Sequence, residues 1–91
     1  MRERIRVIAT HYGLKNQLRQ LIEECCELAI EASHSIRKDG ITINLINEIA
    51  DVEIMIDQIK FLGKISEDDI AEVKEMKINR QIERMANGRN I

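Results

Sequence analysis

Apolar residues recur along most of the chain at intervals of three and four rather than two, the spacing of amphipathic helices and not of strands. Four such stretches are separated by glycine-bearing breaks. The first runs from about Glu3 to His11 and gives way at Gly13. The second runs from Leu14 to Arg37 and ends in Lys38-Asp39-Gly40, where cations suit the negative end of a helix and glycine suits a left-handed cap. The third spans Ile43 to Leu62 and stops at Gly63; it is rich in Ile, Val and Leu, but it does not alternate and its 20 residues far exceed an ordinary strand. Ser66, with Asp69 three residues on, reads as the N-cap of a fourth helix that ends at Ala86 before Asn87-Gly88, and the residues beyond are expected to fray. Short connections predict antiparallel neighbours, with the second and third helices face to face.

On a helical wheel at about 100° per residue, Leu45, Ile49, Val52, Met55, Ile56, Ile59 and Leu62 form one broad apolar face of the third helix. Glu48 and Asp51 fall inside that face, whereas Glu53 and Asp57 point the other way and Lys60 lies on the polar edge. An inward carboxylate is costly unless it is paired, protonated or bound to a metal. The second helix carries a core stripe of Leu18, Leu21, Ile22, Cys25, Leu28, Ala29, Ala32 and Ile36, with Glu24, Glu27 and Glu31 as a ridge beside it and Glu23 further round. Like charges at these spacings repel. Taken alone the ridge is a solvated acidic face; opposite Glu48 and Asp51 it becomes half of an acidic cluster, held by a cation or by a structural salt bridge from elsewhere.

Composition narrows the field. There is no Pro and only 4 Gly, which favours long helices, and 91 residues allow one domain, spanning 1–91, with a core so modest that oligomerisation is expected. A net charge of -2, from 14 basic and 16 acidic residues, gives no footprint for nucleic acid, and Tyr12 and Phe61 alone make no stacking platform. No apolar run reaches the roughly 20 residues of a membrane span, and Met1-Arg2-Glu3-Arg4 lacks a secretory signal's apolar stretch, so a cytoplasmic protein is expected. Adjacent Cys25 and Cys26 read as reduced thiols, one facing inward, and no cysteine or histidine spacing supports zinc. Met55, Met76 and Met85 read as core fillers, and His34 as a surface or packing residue without a partner at ligand spacing.

Carboxylates presented from two helices suit a hard divalent cation, Mg²⁺ with manganese as a chemical substitute, and Mg²⁺ keeps waters and accepts phosphate oxygens. A polyphosphate is the natural companion. Such a centre serves anhydride hydrolysis, with a spare carboxylate as general base. Lys77, Arg80 and Arg84 form a basic stripe on the fourth helix opposite Ala71, Ile78, Ile82 and Met85, either a ligand surface or a solvated face that complements the helix dipole.

Glu23-Glu24-Cys25-Cys26-Glu27, followed after 20 intervening residues by Glu48-Ile49-Ala50-Asp51, resembles the EExxE and ExxD signature of the MazG-like nucleotide pyrophosphohydrolases, the all-α NTP pyrophosphatase superfamily. The likeness runs from about Gln17 to Arg84. It implies an all-α, four-helix-type bundle completed by oligomerisation into a homodimer or homotetramer. It further implies Mg²⁺-dependent hydrolysis of a nucleoside triphosphate, ribo or deoxy, to the monophosphate and pyrophosphate, including housecleaning of the nucleotide pool. By the same resemblance Glu24, Glu27, Glu48 and Asp51 are metal ligands, and Glu23 and Glu24 are the catalytic carboxylates. Lys74, Lys77, Asn79 and Arg80 fall where relatives contact phosphate; Glu75 stands where several carry Lys, which passes that role to Lys77 or Lys74. His11, Tyr12 and Asn16 fall near the base pocket. Two alternatives compete: a phosphoribosyl-ATP pyrophosphatase-like enzyme, and a non-catalytic helical interaction module whose acids are structural.

Overall fold

A computed structural model describes residues 1–88; the fraying expected after Gly88 lies outside the described residues. These form four helices, α1 (Arg2–Tyr12), α2 (Leu14–Lys38), α3 (Ile43–Leu62) and α4 (Glu67–Ala86), and no strand. The all-helical class therefore stands, with helix ends within one residue of those read from the sequence.

Local chemistry explains the breaks. Gly13 separates α1 from α2 at φ 85 and ψ 164, a conformation open to glycine and strained for any residue with a Cβ. Its N–H donates to Ala9 O at 2.8 Å, and its own carbonyl accepts from Gln17 N at 3.1 Å, so the break costs few backbone bonds. Ser66 caps α4 as expected, its Oγ accepting from the N–H of Asp68 and Asp69 at 3.1 and 3.4 Å. Thr42 caps α3 in the same way, accepting from Leu45 N at 3.1 Å. The left-handed residue after α2 is Asp39 (φ 55) and not Gly40. Aspartate visits that region more readily than most residues because its short polar side chain can hydrogen-bond to the nearby backbone.

The second and third helices are antiparallel: Gln17 meets Gln58 at one end of their seam and Ser35 meets Thr42 at the other. The α2 residues turned inward are Gln17, Leu21, Glu24, Leu28, Glu31 and Ser35, all buried or half-buried, at intervals of four and three. From α3 come Leu45, Glu48, Val52, Met55, Ile59 and Leu62 at three and four. Both rows have the 3.5-residue repeat of helices that meet along a continuous seam.

This seam corrects the expected core. On α2 only Leu21 and Leu28 of the apolar stripe turn inward, while Leu18, Ile22 and Ile36 remain 41%, 64% and 80% exposed. Cys25 and Cys26 are both exposed free thiols, so neither faces inward. The apolar row and the mixed Gln/Leu/Glu row lie side by side, about 100° apart, and a helix can face a single neighbour with only one of them. On α3 the buried face is likewise turned: Ile49 and Ile56 are exposed, and Gln58 is buried in their stead. Gln58 is tolerated there because Gln17 Nε2 donates to its Oε1 at 2.7 Å and its own Nε2 donates to Met55 Sδ at 3.6 Å.

The remaining helices are unequal. The first packs chiefly on α3 and buries Ala9 completely. The fourth has no buried residue and no packing partner comparable to these, so it projects from a three-helix body rather than closing a four-helix bundle within one chain. Val73, Met76, Ile78, Ile82 and Met85 are all exposed, so Met76 and Met85 fill no core within the chain, whereas Met55 does. The radius of gyration, 16.2 Å, exceeds the about 12 Å of a compact chain of this length. The chain enters α4 through left-handed Lys64 (φ 54), and Lys60 Nζ lies 3.1 Å from Glu67 Oε1 across the turn.

Gln17→Ala should cost about 1–3 kcal/mol, since it strands the Gln58 carboxamide in the seam, and Gln17→Leu with Gln58→Leu should recover most of that loss. Urea unfolding midpoints of the three proteins measure this; a neutral single variant would show that the amide pair does not hold the seam.

Candidate metal centre

Midway along the seam the polar members are acids. Glu24 and Glu27 stand one turn apart on α2, Glu48 faces them from α3 between buried Leu45 and Val52, and one carboxylate oxygen of each lies within 4.8 Å of the others. Antiparallel register brings them together: the pairing that sets Gln17 on Gln58 also sets Glu27 opposite Glu48.

Little in the chain neutralises this cluster. Among the described residues no Lys, Arg or His nitrogen lies within 4.0 Å of Glu24, Glu27 or Glu48. Gln20 Nε2 donates to Glu24 Oε1 at 3.0 Å, an i, i+4 contact that the sequence reading missed and that helix spacing alone could have found. Glu24 Oε2 and Glu48 Oε2 are buried without a hydrogen-bond partner. Buried polar atoms are nearly always paired, so two orphaned oxygens side by side mark a place that accepts a proton or a cation.

Glu48 registers the strain. Desolvation in the seam is the largest influence pushing its carboxyl above the ordinary glutamate range, followed by the charges of Glu27, Glu24 and Asp51. Glu24 also favours the protonated form, as the acceptor nearest to hand for the Glu48 proton. Two ionised carboxylates cannot satisfy each other; once Glu48 holds a proton, it can donate to Glu24. A divalent cation would relieve the same repulsion without protonation, and an all-oxygen donor set from two helices fits Mg²⁺ or Mn²⁺.

The other residues singled out in the sequence divide. Asp51 is exposed, outside the converged trio yet near enough for its charge to act on Glu48. Glu23 is exposed beside Glu24 on α2. Glu31, half-buried in the seam, is drawn off to His34, whose Nδ1 lies 3.1 Å from its Oε1, so His34 does have a partner. Lys74, Lys77, Asn79 and Arg80 all lie exposed on α4, in two sets: Lys74 and Lys77 flank a shallow groove with Ile70 and Val73, and Asn79 and Arg80 flank another with Glu72 and Glu83. The structure does not bring them to the carboxylates of the same chain. His11, Tyr12 and Asn16 do gather at the α1–α2 junction, the two rings edge to face at 4.7 Å and Asn16 Nδ2 donating to Tyr12 O at 2.8 Å.

The chain matches no family model, no curated protein and no solved structure. No helix among the described residues is long and apolar enough to cross a membrane.

The raised Glu48 fixes a sign for pH dependence. Between the ordinary glutamate value and the raised one, the folded protein holds a proton that the unfolded chain has lost, so stability falls as pH rises through that window. Metal-free wild type should therefore melt at a lower temperature at the alkaline end of the window than at the acid end, and Glu48→Gln should flatten the slope. Identical slopes in thermal scans of the two proteins would exclude Glu48 as the source.

Proposed function

We propose that this protein is a Mg²⁺-dependent nucleoside triphosphate pyrophosphohydrolase of the MazG-like kind, converting NTP or dNTP and water to the monophosphate and pyrophosphate in the cytoplasm. One observation carries the reading: Glu24 and Glu27 of the first half-motif and Glu48 of the second converge in the seam from two helices, with two buried oxygens unpartnered and no side-chain cation beside them among the described residues. A purely solvated acidic face would leave those oxygens in water.

Glu24, Glu27 and Glu48 would hold the metal, joined by Asp51 one turn beyond Glu48 on α3. When bound, Mg²⁺ would supply charge neutralisation for the phosphates and orientation for the attacking water. The hydrogen bond from Gln20 would help orient Glu24 as a ligand. Glu23, exposed next to it, is free to accept the proton of the incoming water, and Glu24 shares that role. Lys74, Lys77, Asn79 and Arg80 would contact phosphate.

Because α4 does not reach the acids of its own chain, those contacts call for a second copy. The outward row Leu18, Ile22, Ile36 and the exposed apolar residues of α4 give a homodimer or homotetramer apolar surface to bury. Charge favours the same arrangement only for the C-terminal half of α4, where Lys74, Lys77, Arg80 and Arg84 outnumber Glu75 and Glu83; the acidic first turn of that helix would have to stay clear of the cluster. The exposure of α4 equally serves an interaction module without catalysis, and the role of metal separates the two.

With Mg²⁺ present, a panel of canonical and modified nucleoside triphosphates should yield pyrophosphate. Glu48→Gln and Asp51→Asn should lower turnover at least about 10²-fold, the loss of a few kcal/mol of electrostatic stabilisation. Orthophosphate as the sole inorganic product, or full activity in either variant, would refute the assignment.

Ile22→Glu places a charge in the outward row and should shift the assembly toward monomer in sedimentation or light scattering. A wild type that is already monomeric at every concentration would remove the second copy from the scheme.

A further inference from the structure

A cleft of about 670 Å³ lies away from the acidic cluster, where the start of α1 meets the end of α3 and the turn into α4. That is within the usual range for small-ligand sites. Lys60 and Phe61 lie about 18–20 Å beyond Glu48 along α3 at the helical rise per residue, so the cleft and the carboxylate centre are separate.

Its chemistry is cationic on one wall and apolar on the floor. Arg2 and Arg6, one turn apart on α1, both line it, and neither has a carboxylate oxygen within 4.0 Å among the described residues. The Arg6 guanidinium sits over the Phe61 ring, 5.1 Å from its centroid, a cation–π contact that holds the group in place while its N–H edge stays free to donate. Lys60 and Glu67 neutralise each other at 3.1 Å, which leaves the two arginines against the single carboxylate of Asp57. Met1 gives α1 no side-chain cap, so the positive end of that helix adds to the wall. Ile5 and Ile65 complete the apolar floor with Phe61.

We infer that this cleft binds a phosphate monoester with an apolar or aromatic body, the phosphate taken by Arg2 and Arg6 and the body laid against Phe61, Ile5 and Ile65. Two arginines one helical turn apart match a phosphate monoester better than a carboxylate, since the dianion offers three acceptor oxygens and a second charge for the second guanidinium. The Phe61 ring, only 39% exposed and already beneath a cation, offers its remaining surface to the body of the ligand. The site stands on this geometry alone and does not depend on the activity proposed for the carboxylate centre.

Amide chemical-shift titrations of the full chain with phenyl phosphate and with inorganic phosphate, in chelator and without divalent metal, test the site. Phenyl phosphate should perturb the amides of Arg2–Arg6 and Asp57–Glu67, and inorganic phosphate the same amides more weakly. Arg6→Gln should weaken phenyl phosphate at least tenfold, Arg6→Lys should weaken it less, and Phe61→Leu should reduce the preference for the phenyl ester. Arg6 is exposed, so its variants keep the fold and isolate the ligand contact. Perturbations confined to the Glu24–Glu48 region, equal binding of the two probes, undiminished affinity in Arg6→Gln, or no perturbation by either probe would each overturn the inference.

Discussion

The seam between α2 and α3 has to do two incompatible things. It is the main apolar contact of the chain, burying Leu45, Val52 and Met55, and it also carries Glu24, Glu27 and Glu48 at its midpoint. Apolar packing draws the helices together, and the same approach strips water from Glu48 and crowds three carboxylates. The conflict has a position because register is fixed at both ends, by the Gln17–Gln58 amide pair and by Ser35 against Thr42. A slip of one residue would carry the acids off the seam and strand those polar partners. The strain at Glu48 is thus a consequence of specificity elsewhere, and a divalent cation is the simplest group that would relieve it without loosening the helices.

The second constraint is the shortage of surface to bury. Among the described residues only Ala9, Leu45, Val52 and Met55 are buried apolar residues, while Ile22, Ile36, Ile43 and most apolar residues of α4 remain open. A chain this size buries a small fraction of its surface even when compact, and this one is extended. The outward row of α2 and the unpacked α4 are two halves of the same deficit, and the proposed second copy would supply for both what one chain lacks. In the proposed assembly the acids of α2 and α3 would face the cations in the C-terminal half of α4, Lys74, Lys77, Arg80 and Arg84, across the interface rather than within the fold.

Helix number and helix ends were determined by the sequence, because they are local. Gly13, the Ser66 cap and Asn87-Gly88 act through the backbone of their immediate neighbours, and the three-and-four spacing of apolar residues excludes a strand over Ile43–Leu62 whatever surrounds it. The inward placement of Glu48 was legible for the same reason, since it sits between Val52 and Met55 on any wheel. Whether the acids serve the nucleotide chemistry their spacing resembles is a matter of ligand and not of fold.

Tertiary structure decided which of two adjacent rows of α2 faces α3, a difference of about 100° that apolar content pointed the wrong way. Leu18, Ile22 and Ile36 are the stronger hydrophobic row, yet Gln17, Glu24, Glu31 and Ser35 turn inward with Leu21 and Leu28, because polar side chains there find partners across the seam or along the helix that composition cannot reveal. The same holds for α4, whose helix is written in its residues but whose distance from the body is not, and for the Arg2–Arg6–Phe61 cleft, assembled from segments more than fifty positions apart. Periodicity fixes what a helix is; only the packing of helices on one another fixes what each of its faces meets.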